Sequence, residues 1–204
     1  MEILGRLFGS SARVKIMRLF LLNPEDAFEN KDISKKSNVS AATVRKELAM
    51  LSKIGFVGKK SFFKEVPQRS KKSKPRKKRV SGWQLDRSFP MLLSLQTLLV
   101  STEPLRKKEI INKLKRGGNI KLIVVSGIFL QNPDSRVDML IVGDKLKKSA
   151  VQHALRIIES EVGKEISYAL LETKEFMYRL NIYDKFIRDI LDYPHDKILD
   201  KMGI

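Results

Sequence analysis

Residues 37–57 read S-N-V-S-A-A-T-V-R-K-E-L-A-M-L-S-K-I-G-F-V, and this stretch decides the reading of the first half of the chain. Ser37-Asn38-Val39 is a tight turn, since Asn tolerates the left-handed backbone that such a reversal needs. Ser40 stands where its hydroxyl can accept an open amide of a new helix, and Gly55 stands where that helix must stop. Between them Val44, Leu48 and Leu51 recur at three- and four-residue spacing, the period of a helical face turned to a core. The same period turns Ala42, Arg45, Lys46 and Ala49 outward, with Ser40 and Thr43 near the helix start.

The flanks extend this pattern in both directions. Upstream, Ser10 and Ser11 can cap a helix that carries Val14, Ile16, Met17, Leu21 and Leu22, and Asn23-Pro24 closes it. A short helix at residues 31–36, burying Ile33, leads into the turn, so the order is helix, tight turn, helix. Downstream, a strand at residues 56–63, a basic segment at 64–79 and a strand through Val80, Trp83 and Leu85 read as a hairpin with an enlarged tip. Residues 91–100 are helical after Pro90. A polar, basic helix at 103–116 then ends at Gly117-Gly118, which marks a boundary.

Charge separates the two halves. The chain has 204 residues and a net charge of +18. Residues 1–118 hold 28 Lys/Arg against 10 Asp/Glu, whereas residues 119–204 hold 13 of each, so the whole excess lies in the first part. A polyanion is the expected partner there, and something else for the second part. The absence of cysteine removes disulfides, thiolate metal sites and cysteine nucleophiles. His153 and His195 lie too far apart in sequence to suggest a catalytic triad or a two-histidine metal site. No leader is expected at the start, and the longest apolar run, residues 89–100, falls well short of the roughly 20 residues of a membrane helix. The expected location is the cytoplasm, in association with the nucleoid, with no membrane partner.

In a helix-turn-helix the second helix puts one face in the core and the other in the DNA major groove, and the helix from Ser40 meets both demands. Ser40, Ala42, Thr43, Arg45 and Lys46 are its expected DNA contacts. Lys59, Lys60, Lys64, Arg69, Lys71, Lys72, Lys74, Arg76, Lys77, Lys78 and Arg79 on the hairpin would follow phosphates or the minor groove, giving affinity rather than sequence choice. Leu7-Phe8-Gly9-Ser10, Arg13, Lys15-Ile16, Asn23-Pro24, residues 39–44, Leu48, Leu51 and Gly55-Phe56-Val57 resemble winged helix-turn-helix transcriptional regulators of the ArsR-like kind. The resemblance covers about the first hundred residues. It implies a homodimer joined through helices outside the motif, and the long basic wing departs from the usual short one.

Beyond Gly117-Gly118, strands are expected at residues 120–126, 137–142 and 166–171. Asp144 is expected to cap a helix with the apolar face Val151, Leu155, Ile158 and Val162, and further helices begin at Thr173 and Tyr183. Strands alternating with helices indicate an α/β layer. Val125-Ser126-Gly127-Ile128 and residues 135–142 resemble minimal nucleotidyltransferases of the polymerase-β-like fold. In that family a Gly-Ser pair holds nucleotide phosphates and two carboxylates on the next strand share divalent metals. Here Ile128 follows Gly127 where the family has serine, and Arg136 stands where the first metal carboxylate belongs, leaving Asp138. Gly127, Arg136 and Asp138 are therefore vestigial candidates. Glu165 and Ser167 are the nearest matches for a third acid, while Asp134 and Asp144 read as turn and cap residues.

The fold class expected is α+β and α/β in two domains. A winged helix-turn-helix spans residues 1–100, a basic helical linker 101–118, and a nucleotidyltransferase-like mixed sheet with helices 119–204. The expected function is sequence-specific regulation of transcription on double-stranded DNA. The second domain is expected to serve dimerisation or to bind a small-molecule effector or a protein, without cofactor or metal. Two alternatives stay open: a Mg2+-dependent nucleotidyltransferase acting on a nucleotide, and an RNA-associated protein.

Overall fold

The computed structural model describes residues 2–66, 76–100, 107–132 and 134–204. The chain is a mixed α+β protein. It divides into two compact units, Met1–Thr102 with Val162–Lys164, and Glu103–Glu161 with Glu165–Ile204.

The first unit contains α1 (Glu2–Leu7), α2 (Ser11–Leu22), α3 (Asn30–Ser37), α4 (Ala41–Lys53), β1 (Val57–Val66), β2 (Arg76–Leu85) and α5 (Leu92–Val100). Ser10 caps α2 by accepting the Arg13 amide at 3.1 Å, as its sequence position suggested. Asn38 ends α3 in the left-handed region at φ 52°, the strained conformation the turn demanded. Val14, Ile16, Phe20, Ile33, Val44, Leu48, Leu51 and Phe56 are buried together, so α2, α3 and α4 enclose one core with the root of β1.

The hairpin is more regular than the sequence suggested. β1 and β2 pair antiparallel from Val57 opposite Leu85 out to Val66 opposite Arg76. Residues 64–66 and 76–79, expected in the tip, therefore lie in the ladder; backbone pairing continues past the point where apolar alternation stops. Residues 67–75 lie outside the described residues. A bridge between Phe28 and Trp83, with both amide to carbonyl bonds at 2.9 Å, adds a third short strand to the hairpin's base. Gly82 permits it, because a Cβ there would stand 2.3 Å from the Phe28 carbonyl oxygen. A one-residue strand has no period to detect, and this element went unforeseen.

The second unit contains α6 (Lys107–Leu114), β3 (Asn119–Val125), β4 (Met139–Asp144), α7 (Lys148–Val162), β5 (Tyr168–Glu172), α8 (Thr173–Asn181), α9 (Lys185–Leu191) and β6 (Asp196–Asp200). Its sheet runs β5-β4-β3-β6, with β4 and β5 parallel and the other neighbours antiparallel. Leu122, Val124, Leu140 and Val142 pack with Phe176, Ile187 and Ile190 of α8 and α9. Ile123 and Ile141, turned the other way by strand alternation, are equally buried, as is the α7 stripe of Val151, Leu155 and Ile158.

Three details depart from expectation. Helix α6 belongs to this unit: Ile110 and Leu114 are buried and the helix packs beside β6. Asp144 does not cap α7. It ends β4 four residues before α7 begins and pairs with Lys121 at 2.7 Å, which holds its carboxyl below the usual range. Strand β6 was not foreseen, because Asp196-Lys197-Ile198-Leu199-Asp200 is too polar at an edge to show strand alternation. Among the described residues, no helix is long and apolar enough to cross a membrane.

Candidate nucleic-acid interface

Helix α4 presents an outward face in the way the period required. Ser40 caps it, its hydroxyl accepting the Thr43 amide at 3.2 Å and lying 2.9 Å from the Thr43 hydroxyl. Ala42, Arg45, Lys46 and Ala49 are exposed, while Val44, Leu48 and Leu51 are buried. Small residues near the start of the helix leave room for close approach by a second surface, and Arg45 and Lys46 supply donors beside it.

A residue that the sequence reading passed over holds this helix in place. Glu47 is 4% exposed, accepting the Ser10 hydroxyl at 2.6 Å and Arg13 Nε at 2.8 Å. Arg13 also donates to the Phe8 carbonyl at 2.7 Å. The start of α2 and the middle of α4 are thus joined by an ion pair with its carboxylate buried, and the pitch of the exposed α4 face is fixed from behind. The signal was present: position 47 lies three residues after Val44 and four before Leu51, so an acid stood on the apolar stripe and needed a partner.

Helix α4 runs through Ile54-Gly55 into β1, so the hairpin starts beside it. Lys59, Lys60, Lys77, Lys78 and Arg79 are exposed on the hairpin and form no ion pair among the described residues. Arg79 lies opposite Phe63 in the register, and Phe63 is 70% exposed. An exposed aromatic ring within a cationic hairpin is a second feature the sequence reading missed, since strand alternation alone predicts an inward ring as readily as an outward one. Arg69, Lys71, Lys72 and Lys74 lie outside the described residues, and of Arg76 only the backbone, at the start of β2, is described.

Lys64 is placed differently from its neighbours. Its ammonium turns back onto α3 and donates to Asp32 at 2.5 Å and Glu29 at 3.1 Å. That position relieves the repulsion expected from Lys78 directly opposite it and ties the hairpin to α3. The hydrogen bond to Asp32, and then that to Glu29, raise the Lys64 pKa above its ordinary 10.5. Glu29 is lowered below 4.5, by Lys31 first and then by Lys64. A carboxylate with a depressed folded pKa contributes stability that is present above about pH 4.5 and lost as pH falls through the folded value; a raised lysine contributes below about pH 10.5 and loses it as pH rises. The stability difference between wild type and Lys64→Met, followed by fluorescence of Trp83 during urea unfolding, is therefore expected to stay level at neutral pH and to shrink below 4.5. A difference that ignores pH would remove the ion pair from the account.

The Ser126-Gly127 turn of the second unit is filled by its own side chains. Asp138 directs Oδ1 to the Ile128 amide at 2.9 Å and Oδ2 to the Ser167 amide at 2.8 Å. The Gly127 amide donates to Ser135 Oγ at 3.0 Å, and the Ser126 hydroxyl donates to the Val137 carbonyl at 2.5 Å. Gly127 itself is at φ +54°, and a Cβ there would lie 2.1 Å from Asp138 Oδ1. Arg136 reaches Asp189 at 2.9 Å. Ser167 is therefore a backbone partner of Asp138, and Glu165 and Asp134 are exposed rather than gathered with it. No group of three or more His, Cys, Asp or Glu side chains suited to a metal ion occurs among the described residues.

Comparison with known proteins finds no family model that matches the chain, no curated protein that matches it, and no solved structure that matches it.

Proposed function

We propose that the first unit is a winged helix-turn-helix module for double-stranded DNA and that the chain is a sequence-specific transcriptional regulator. The observation that carries this reading is the pairing of an exposed, small-residue α4 face bearing Arg45 and Lys46 with an adjoining hairpin of uncompensated cations. α4 would enter the major groove and the hairpin would follow the phosphates, with Phe63 available as an apolar contact to sugar or a base step. The largely exposed Ile3, Leu7, Met91 and Leu93 of α1, the turn before α5 and α5 support a homodimer formed through those elements.

On this reading the second unit is a nucleotidyltransferase-like domain without transfer chemistry. Two-metal catalysis needs carboxylate oxygens turned to solvent, and both oxygens of Asp138 are instead given to backbone amides. Its role would be contact with a protein or a small effector. An open cleft of about 570 Å³ lined by Leu180, Tyr183, Arg188 and Leu191 is available for that.

The test is selection of binders from a pool of random duplexes across a salt series. An enriched inverted repeat is the expected result, since a dimer reads two half-sites. Arg45→Ala with Lys46→Ala should then lower the ratio of specific to non-specific affinity by about tenfold or more, the worth of one good base contact. Retention of equal affinity for duplex RNA, or loss of all sequences alike in that double variant, would overturn the reading.

A further inference from the structure

Exposed cations gather at one end of the sheet of the second unit. β3 begins at Asn119, β4 ends at Asp144 and β5 ends at Glu172, and the register sets these ends side by side, with Asn119 opposite Asp144 and Gly143 opposite Glu172. Three connections converge there: residues 115–118 entering β3, 145–147 leaving β4, and the start of α8. The Lys147 amide donates to the Gly117 carbonyl at 2.7 Å and ties the first two together. Lys115, Arg116, Lys145 and Lys147 are exposed on the first two, with Lys148 exposed at the start of α7, and none forms an ion pair among the described residues. The acids at this end are already engaged: Asp144 with Lys121, and Glu172 with the Leu146 amide at 3.4 Å. Asp138, Asp189 and Asp196 lie at the other end, beside the Ser126-Gly127 turn.

We propose that this cluster of Lys115, Arg116, Lys145, Lys147 and Lys148 is a second nucleic-acid surface that grips the phosphate backbone of a duplex. Like charges gathered on tied loops repel one another, and a polyanion that replaces their counterions relieves that repulsion and gains the entropy of ion release. A protein partner is the poorer fit. Protein interfaces bury aromatic and apolar anchors and are depleted in lysine, whereas the exposed large apolar residues of this unit, such as Met177, Tyr178 and Tyr193, lie outside these connections. The inference stands on the second unit alone and is separable from the reading of the first.

The experiment measures the Kd of the full chain for a fluorescein-labelled duplex of mixed sequence at several salt concentrations. It compares wild type, a patch variant carrying Gln at positions 115, 116, 145, 147 and 148, and a hairpin variant carrying Gln at 77, 78 and 79. The patch variant should lose at least about tenfold in affinity at 0.1 M salt, and its log Kd against log salt slope should shrink by about 0.9 for each phosphate contact removed. Single reversals Lys115→Glu and Lys145→Glu give the same readout with one exposed change each and guard against loss of fold. An unchanged slope in patch and reversal variants overturns the inference and leaves the first unit's reading standing. Loss in the patch variant with none in the hairpin variant does the opposite. Displacement of patch-dependent binding by polyglutamate as readily as by duplex, at equal charge, would mean an acidic-protein surface and would also overturn it.

Discussion

Replacing Lys77, Lys78 and Arg79 with Gln is expected to weaken duplex binding by up to about 500-fold at 0.1 M salt, because each phosphate contact contributes a factor of about 10^0.9 there through counterion release. The three side chains sit in the β2 ladder, exposed and without ion-pair partners among the described residues, so their removal leaves hairpin pairing and the Lys64 anchor untouched. The loss should fall equally on all sequences, and the salt slope should flatten by close to three times 0.9. Fluorescence anisotropy on a selected and a scrambled duplex separates the outcomes. A loss confined to the selected sequence would mean that the hairpin reads bases, and no loss at all would remove the hairpin from the interface. Lys64→Gln is the internal contrast, since its ammonium already serves Glu29 and Asp32; its effect should appear in stability and far less in the salt slope.

How much of this was legible in the sequence follows from what each element depends on. The α4 helix was readable because its cap, its stop and its stripe are local: Ser40, Gly55, and Val44, Leu48 and Leu51 all lie within sixteen residues. The hairpin's existence was readable from two apolar strands, but its length was not, since cross-strand hydrogen bonding carries residues 64–66 and 76–79 and leaves no apolar trace. The Phe28 bridge and β6 are held by tertiary pairing with Trp83 and with β3, and a one-residue strand or a polar edge strand has no period to detect. Charge was readable as a sum and not as a placement. Lys64 counted among the hairpin's cations until α3 brought Glu29 and Asp32 to it, and the neutral total of residues 119–204 concealed the exposed lysines at 145, 147 and 148. The exposure of Ala42, Arg45, Lys46 and Ala49 on α4 followed from the helical period, while the partners that hold these segments, Glu47 behind α4 and the Ile128 and Ser167 amides around Asp138, belong to the fold.

Gly127→Ala and Asp138→Ala are expected to cost the second unit about 1.5–3 kcal/mol each, the range for losing hydrogen bonds to a charged group, with the part-buried Ile128 amide carrying more of it than the exposed Ser167 amide. For Asp138→Ala the loss is direct, since both carboxylate oxygens hold backbone amides from segments 10 and 29 residues away. For Gly127→Ala the route is steric: a methyl 2.1 Å from Asp138 Oδ1, on a backbone at φ +54°, must displace the same carboxylate. The two effects act on one staple and should not add, so the double variant is expected to resemble the worse single one. Asp138→Asn retains one acceptor oxygen and should fall between. Urea unfolding followed by far-ultraviolet circular dichroism reports both units, while Trp83, the sole tryptophan, lies in the first unit and reports there, so a transition seen by circular dichroism and not by Trp83 fluorescence belongs to the second. A catalytic Asp138 makes the contrary forecast: its removal would abolish magnesium-dependent label transfer from a nucleoside triphosphate while leaving stability level or raised, as functional carboxylates freed of repulsion commonly do. Reduced stability with unchanged duplex binding would fix Asp138 as the staple of a turn, and strict additivity of the two substitutions would show that Gly127 and Asp138 do not share it.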